Sequence, residues 1–255
     1  MPLRFCSLGS GSSGNGLVVE RGRTRLLLDC GFTIAETTAR LARAGLAPSD
    51  LSGIVVTHEH DDHLGGVARF ARRHAIAVHL TRGTALSLPM DFPASLVRLV
   101  DSHAPFAVGD IEVDPFPVPH DAREPAQYVF SDGASRLGVA TDLGTPTDHV
   151  AEKLSGCDAL VLEANHDRDM LEKGSYPRPL KVRVGGRLGH LDNDQAAALV
   201  ARLDRSRLKH LVAAHLSQQN NTPALAVAAL ARGADCEPGW IGVATQADGF
   251  AWREA

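Results

Sequence analysis

The feature that most restricts the fold is a run of histidine and acidic residues directly after a short apolar segment. Residues 57–63 are Thr-His-Glu-His-Asp-Asp-His, and residues 53–56 before them are Gly-Ile-Val-Val. Imidazole and carboxylate groups are ligands that zinc, manganese and iron take in proteins. A solvent-exposed polar turn is the other interpretation. The density of three imidazoles and a carboxylate favours a metal site at the end of a buried strand.

A metal site needs more ligands than this run supplies, so further donors are expected at the ends of other apolar segments, where loops collect functional groups on a rigid scaffold. His120 follows Phe-Pro-Val-Pro, Asp142 follows Leu-Gly-Val-Ala-Thr, and His215 follows Leu-Val-Ala-Ala. A lone histidine in such a place is more often an ordinary loop residue. Donors of the right kind at four strand ends favour one shared site.

Apolar runs rich in Val, Ile and Leu alternate with helical patterns along the chain, and no linker divides it. This pattern is typical of a layered α/β or α+β fold, and it predicts one domain over residues 1–255. Strands are predicted at 3–8, 17–20, 25–29, 54–57, 75–80, 111–113, 116–118, 128–130, 136–141, 159–163, 209–214 and 241–245. Helices are predicted at 34–44, 64–74, 193–203 and 223–232. Asp192 and Gln195 form a capping box at the start of the third helix.

The donor set resembles that of the metallo-β-lactamase fold, a four-layer αββα sandwich with two metal ions at one edge of its sheets. The resemblance implies that the ligands of one ion are His58, His60 and His120. It implies that the other ion takes Asp62, His63 and His215, with Asp142 bridging the two. Asp29, after Arg-Leu-Leu-Leu, matches a position that supports a ligand histidine from outside the metal shell. The alternative for Asp29 is a polar residue that opens a turn before Gly31.

A narrower resemblance extends over nearly the whole chain. Residues 7–15 (SLGSGSSGN), 163–167 (EANHD), 175–193 (SYPRPLKVRVGGRLGHLDN) and 215–221 (HLSQQNN) resemble the WalJ/YycJ (VicX) group of bacterial metallo-hydrolases. The group implies a DNA exonuclease of 5′-to-3′ direction. One departure is Asp192, where the group has serine. A negative charge there would repel a phosphodiester, so no direct phosphate contact is expected from residue 192.

The resemblance implies two divalent metal ions as cofactors. Zinc is the expected metal, and manganese and iron are the alternatives. Two such ions generate a bridging hydroxide and stabilise in-line displacement at a phosphodiester. We expect the hydroxide to be the nucleophile and Asp62 to orient it. His190 and His166 are candidates to protonate the leaving oxygen or to bind a phosphate. The alternative for both is an ordinary loop histidine.

The net charge of −4, from 26 basic and 30 acidic residues, gives no general basic surface for nucleic acid. Six cationic residues against two acidic ones lie within residues 168–187, here named the basic segment. We predict that Lys181 and Arg183 bind a DNA backbone, that Tyr176 stacks on a base, and that Asn165 contacts substrate. The alternative is a solvated surface without a ligand.

The opening residues contain no apolar core of a secretory signal, and no apolar stretch is long enough to cross a bilayer. The sequence therefore predicts a cytoplasmic protein without membrane contact. The four cysteines are isolated, which predicts reduced packing residues. Oligomeric state stays open.

The function predicted from the sequence is a metal-dependent phosphodiesterase or nuclease that acts on DNA. A hydrolase of small molecules such as a lactone, a thioester or a cyclic phosphate is the second hypothesis, because one fold serves many reactions. A metal-stabilised regulatory protein that binds a partner without turnover is the third. A positive groove favours DNA, a closed apolar pocket favours a small ester, and a complete set of seven ligands argues against the regulator.

Overall fold

Two β-sheets of seven strands each form the centre of the protein, whose computed structural model describes residues 1–255. The first sheet has the order β14-β1-β2-β3-β4-β5-β6, and β3 to β6 run parallel. Its strands are β1 (Arg4–Gly9), β2 (Gly16–Arg21), β3 (Thr24–Leu28), β4 (Gly53–Val55), β5 (Val78–Thr81), β6 (Val97–Val100) and β14 (Phe250–Glu254). Strand β14 pairs antiparallel with β1 and forms one edge of this sheet.

The second sheet has the order β13-β12-β11-β10-β9-β8-β7, and its strands β10 to β13 run parallel. Its strands are β7 (Phe106–Val108), β8 (Ile111–Pro117), β9 (Ala126–Ser131), β10 (Arg136–Ala140), β11 (Ala159–Glu163), β12 (His210–Ala214) and β13 (Gly242–Val243). The carboxyl ends of parallel strands meet at one edge of a sheet, which brings the residues after β10, β11 and β12 together.

Nine α-helices connect these strands. Those in the first half are α1 (Ile34–Arg43), α2 (Asp61–Leu64), α3 (Val67–His74) and α4 (Arg82–Ala85). Those in the second half are α5 (Asp148–Leu154), α6 (Arg168–Lys173), α7 (Arg178–Val184), α8 (Asn193–Arg202) and α9 (Pro223–Ala234). Short 3₁₀ turns lie at Pro48–Asp50, Ala94–Leu96 and Pro238–Trp240.

Three apolar layers hold the elements together. The middle layer packs the two sheets face to face and includes Phe5 and Tyr128. One outer layer packs α1 and α3 on the first sheet, and the other packs α5, α8 and α9 on the second. The protein is therefore a four-layer αββα sandwich, which confirms the predicted fold class.

The element boundaries differ from the predictions at several places. The two strands predicted on either side of Pro115 are the single strand β8, because β7 pairs no further than Val113 and the proline needs no N–H on that side. The helix predicted at 64–74 is divided at Gly65 and Gly66 into α2 and α3. Strands β6, β7 and β14 and helices α4 to α7 were not predicted. Each is too short for its residues to show a clear period.

The four cysteines are free, and three of them, Cys6, Cys30 and Cys157, are buried. Burial raises the pKa of the Cys6 and Cys30 thiols to about 12, so both behave as apolar packing residues at neutral pH. None of the helices combines the length and the hydropathy that a membrane span requires.

Candidate metal centre

Three histidines form the first ligand cluster at the edge of the sandwich. His58 follows β4, His60 lies just before α2, and His120 lies in the loop after β8. The His60 Nδ1 atom is 2.9 Å from His58 Nε2 and 3.2 Å from His120 Nε2. Two nitrogens bound to one tetrahedral zinc at about 2.0–2.1 Å are about 3.3 Å apart, so the three rings have a spacing that suits one ion.

A second cluster combines two carboxylates and two imidazoles: Asp62, His63, Asp142 and His215. Asp62 Oδ2 lies 3.2 Å from His215 Nε2 and 3.4 Å from His63 Nε2. Asp142 Oδ2 lies 3.0 Å from His63 Nε2. The other oxygen, Asp142 Oδ1, lies 3.9 Å from His120 Nε2 in the first cluster. Asp142 therefore stands between the two clusters.

Asp142 also provides the test of whether these residues fit metal ions. Its side chain is 2% exposed, and Oδ2 forms no hydrogen bond, because the contact of 3.0 Å with His63 Nε2 lacks the angles that a hydrogen bond needs. A buried carboxylate oxygen without a partner is rare in folded proteins. Imidazole and carboxylate donors surround this oxygen, and they are the donor types that divalent transition metals prefer. The residues present thus fit divalent cations.

The protonation of the clusters is governed by their buried carboxylates. Burial lowers the pKa of His63, but Asp142, Asp29 and Asp62 outweigh burial and raise it well above the ordinary value. Burial also lowers the pKa of His215, but Asp142, Asp62 and Glu163 together outweigh burial and raise it to about 10. These carboxylates therefore attract positive charge into the site, a role that bound cations can take over from protons.

The two rings that face fewer carboxylates have pKa shifts in the opposite direction. Burial lowers the pKa of His58 well below the ordinary value, and burial also lowers that of His120. Both imidazoles are therefore neutral at physiological pH, which is the form that binds a metal ion.

Three of the site residues at strand ends have an unusual backbone. Asp29, Asp142 and His215 adopt φ values of 59°, 55° and 54°, in the left-handed region. Such conformations cost free energy and cluster at functional sites, where the surrounding structure holds them in place. Each turn redirects the chain directly after a strand.

Asp29 contacts His63 from outside the cluster. Its Oδ2 lies 2.8 Å from His63 Nδ1, and its Oδ1 accepts a hydrogen bond of 2.8 Å from the Thr57 backbone N–H. This contact leaves His63 Nε2 to face Asp62 and Asp142. In this position Asp29 can orient the His63 ring from its Nδ1 side.

Glu163, the last residue of β11, has a role that the sequence analysis missed. Its Oε2 accepts hydrogen bonds from the backbone N–H of Leu143 and of Leu191. Its Oε1 accepts from the Asp142 N–H and lies 2.8 Å from His190 Nδ1 and 3.2 Å from His215 Nδ1. One carboxylate thus joins three loops at the site. The only signal in the sequence is a carboxylate that ends an apolar strand, as in the segment before Asp142.

The loop between β1 and β2 contributes two side chains, Ser10 and Asn15, that were not among the predicted site residues. The Asn15 side-chain amide donates to Asp62 Oδ2 at 3.1 Å and lies 3.0 Å from His63 Nε2. Ser10 Oγ accepts the backbone N–H of His215 at 3.0 Å. The glycines and serines of this loop therefore bring two small polar side chains against the second cluster.

His190 and His166 occupy different environments. His190 lies at the mouth of the site, with its ring stacked 5.3 Å from that of His215 and its Nδ1 bonded to Glu163. His166 is 2% exposed, and its Nδ1 contacts the Asn165 side chain at 3.3 Å. Asn165 is buried as well and donates its Nδ2 hydrogen to the His215 carbonyl. Both Asn165 and His166 lie beneath the surface that a substrate would touch.

Asp192 is occupied by contacts within the protein. It caps α8 in the predicted capping box with Gln195, and its carboxylate pairs with Arg168. Its backbone pairs with that of His166 in an isolated parallel bridge, which extends the β11 edge and brings His190 to Glu163. The charge that replaces the expected serine is therefore neutralised locally.

The basic segment is more internally paired than its composition suggests. Arg168 pairs with Asp192, Lys173 with Asp169 and Arg183 with Asp121. Lys181 Nζ donates to the Glu172 carbonyl at 2.5 Å, and Tyr176 is half-buried between α6 and α7. Arg178 and Arg187 are exposed and have no ion-pair partner.

Comparisons with known proteins agree with this geometry. The beta-lactamase superfamily domain matches residues 24–215. Exodeoxyribonuclease YycJ of Bacillus anthracis is 37% identical over 229 residues, which cover 89% of this chain and 87% of that protein. Exodeoxyribonuclease WalJ of Streptococcus pneumoniae is 33% identical over 228 residues, which cover 88% and 85%.

Among solved structures, the metallo-beta-lactamase fold protein YhfI from Bacillus subtilis superposes with a TM-score of 0.78. It covers 100% of both chains at 14% sequence identity, so this likeness concerns the fold. The family resemblance predicted from the sequence is confirmed by these matches. The chain belongs to the beta-lactamase superfamily, in the group that includes YycJ and WalJ.

Proposed function

We propose that this protein is a metal-dependent exonuclease that hydrolyses phosphodiester bonds of DNA in the 5′-to-3′ direction. The protein is an enzyme of a hydrolase superfamily, and its named relatives are exodeoxyribonucleases. The observation that carries the proposal is the buried Asp142 carboxylate between two clusters of metal-type donors. Two ions side by side suit in-line displacement at a phosphodiester.

We assign His58, His60 and His120 to one ion, and Asp62, His63 and His215 to the other, with Asp142 shared. Divalent ions bound there would activate a water molecule and neutralise charge on the phosphate oxygens. Asp62 is held by Asn15 and His215, so its carboxylate is fixed in the position from which it would orient the nucleophile. Asp29 keeps His63 in its orientation.

His190 is our candidate for the residue that protonates the leaving oxygen. Glu163 holds its Nδ1, which leaves Nε2 to face a substrate. Burial alone would lower the pKa of His190, but the adjacent Glu163 carboxylate raises it above the ordinary value. The raised pKa favours the protonated ring, which is the form that can donate a proton. His166 and Asn165, which are buried, would support His215 and the β11 edge and would not touch substrate.

The basic segment is our proposed contact for the DNA backbone. Arg183 is exposed and lies next to the site through its contact with Asp121, and Arg178 and Arg187 are exposed and lack partners. Lys181 is half-buried and would exchange its contact with the Glu172 carbonyl for a phosphate. Tyr176 would stack on a base. The two cavities that border the ligand run, of about 500 and 360 Å³, share Asp61, Gly65 and Arg69 and enclose neither cluster. Neither of these two cavities is therefore a pocket in which both clusters could hold a small ester.

The substrate is tested by replacing Lys181 and Arg183 together with alanine. We expect KM on DNA to rise and its salt dependence to flatten, by about 0.7–0.9 in the slope of log K against log salt for each lost phosphate contact. Hydrolysis of bis-p-nitrophenyl phosphate should stay at the wild-type rate, because this diester is too short to reach the segment. Arg232→Ala, which removes an exposed arginine paired with Asp194, is the matched control.

Equal DNA degradation by the double variant and the wild type at every salt concentration would contradict the DNA contact and move the small-molecule hypothesis forward. Absence of turnover on both substrates after metal loading would favour the regulatory binding protein. Metal analysis of loaded protein should give two ions per chain, and one ion at saturation would refute the dinuclear site. Substrates blocked with phosphorothioates at one end or the other test the direction.

A further inference from the structure

Asp121 has no role in the site described so far, yet it lies against two of its histidines. It directly follows His120, and its Oδ1 is 3.5 Å from His120 Nε2 and 3.8 Å from His60 Nε2. Its Oδ2 is 2.6 Å from Nε of Arg183, which comes from α7. One carboxylate thus joins the first ligand cluster to a cation of the basic segment.

The backbone around this pair is fixed at three points. The Asp121 N–H donates to the Leu188 carbonyl at 3.0 Å, and His120 Nδ1 lies 3.0 Å from the Gly189 carbonyl. Thr145 Oγ1 donates to the Arg187 carbonyl at 2.8 Å. The segment after α7 is therefore anchored to the loops that carry His120 and Asp142, so Arg183 is presented at a defined distance from the site.

The ion pair with Asp121 leaves most of the N–H donors of Arg183 available for a ligand. A guanidinium has five N–H donors, and here only Nε has a protein acceptor. The Arg183 side chain is 59% exposed, whereas that of Asp121 is 29% exposed. The two terminal amino groups are therefore unpaired, and they can bind two oxygens of one phosphate, the contact for which arginine is best suited.

We propose that Asp121 is a positioning residue: it holds Arg183 through Nε so that the terminal amino groups form a phosphate subsite on the His60–His120 side of the site. This inference rests on the proposed function, because it defines where that function contacts one phosphate of a DNA strand. An arginine that is fixed before binding loses less side-chain freedom when the phosphate arrives.

The test compares Asp121→Ala, Asp121→Asn, Arg183→Ala and the Asp121→Ala/Arg183→Ala double variant. Binding of a fluorescently labelled single-stranded oligonucleotide is measured by anisotropy in EDTA, where no cleavage can occur. We expect Arg183→Ala and Asp121→Ala each to weaken binding about 10- to 100-fold, which matches one charged hydrogen bond. Asp121→Asn keeps an acceptor for Nε and should stay within about twofold of wild type.

The double variant separates positioning from other roles. If Asp121 acts through Arg183, the double variant binds no more weakly than Arg183→Ala alone. With metal restored, Asp121→Ala should raise KM on DNA while kcat on bis-p-nitrophenyl phosphate and the metal content stay at wild-type values. Asp194→Ala, which breaks an exposed pair with Arg232, is the matched control.

Three results would overturn the inference. Tighter binding by Asp121→Ala would mean that Asp121 competes with phosphate for Arg183. A loss that persists in the Arg183→Ala background, or a lower metal content, would mean that Asp121 acts on the histidines. If the wild-type protein cleaves DNA and the Arg183→Ala variant binds DNA as well as the wild type does, the subsite is refuted and the proposed function stays intact. Wild-type protein that hydrolyses the small diester but neither binds nor cleaves DNA would instead refute the proposed function.

Discussion

The two sheets contribute to the site in different ways. The first sheet supplies its donors from one continuous segment, residues 58–63, which begins just after β4 and turns into α2. The second sheet supplies single residues that lie far apart in the chain, Asp142 after β10 and His215 after β12. Glu163 at the end of β11 holds these separate residues together.

This difference shows what fixes the geometry of each half of the site, where the first half is the part from the first sheet and the second half is the part from the second sheet. In the first half, neighbouring residues of one chain segment share a turn, and Asp29 needs to hold only His63 and Thr57. In the second half, no local geometry relates Asp142 to His215, so a buried carboxylate must set their spacing. We therefore expect changes on the second sheet to have larger effects than equivalent changes on the first.

The largest effect is expected from Asp142→Ala compared with Asp29→Ala. The first change removes the carboxylate between the two clusters and should abolish turnover. The second loosens one ligand, and losses of this kind typically cost about 10–100-fold. Steady-state rates on bis-p-nitrophenyl phosphate at saturating metal measure both. Equal and mild losses would show that Asp142 does not join the clusters.

An intermediate effect is expected from Glu163→Gln compared with Asp29→Asn. Each Glu163 oxygen accepts at least two hydrogen bonds, so the amide NH₂ of glutamine would face donors whichever way it is placed. Each unsatisfied buried donor costs about 1–3 kcal/mol, or about 2–4 °C in Tm for each kcal/mol. Asp29→Asn disturbs fewer donors and should lower Tm less.

Thermal unfolding followed by circular dichroism measures this difference for the metal-free variants. A Tm loss for Asp29→Asn that equals the loss for Glu163→Gln would contradict the difference between the two halves. Activity then serves as a second readout, since Glu163→Gln should also reduce kcat through the altered contact with His190.

The smallest effect concerns pH. In the metal-free protein, His63, His190 and His215 have raised pKa values because carboxylates surround them. Their contribution to stability is complete below the unfolded value of about 6.5, and it is lost as pH rises through the folded values, about 10 for His215. We therefore expect the Tm of the metal-free protein to fall between about pH 6.5 and 10.

Below pH 6.5 the stability of the metal-free protein depends on histidines whose pKa values are lowered. The pKa values of His58 and His120 are lowered by burial, so protonating them favours unfolding and the Tm should also fall on that side. Metal-loaded protein should show a flatter curve above pH 6.5, because bound cations replace the protons. Identical curves with and without metal would contradict this account of the charge balance.

The contrast between the halves also explains what the sequence could predict. The run at residues 58–63 is local, so its composition alone indicates a metal site, and apolar segments before His120, Asp142 and His215 identify the other strand ends. The role of Glu163 depends on where β10, β11 and β12 end in space, which no local pattern contains. The pairing of Arg183 with Asp121 has the same origin, because charge composition does not say which cations already have a partner.

The division of the donors between two sheets has a consequence for the order in which the enzyme is made. A ribosome-bound chain that ends before β12 carries the whole 58–63 segment and His120, but it lacks His215 and the strand that positions it. The second cluster forms only after β12 joins its sheet and the two sheets have docked. The complete donor set, and any reaction that needs both clusters, therefore exists only after the chain has been synthesised past β12 and has folded.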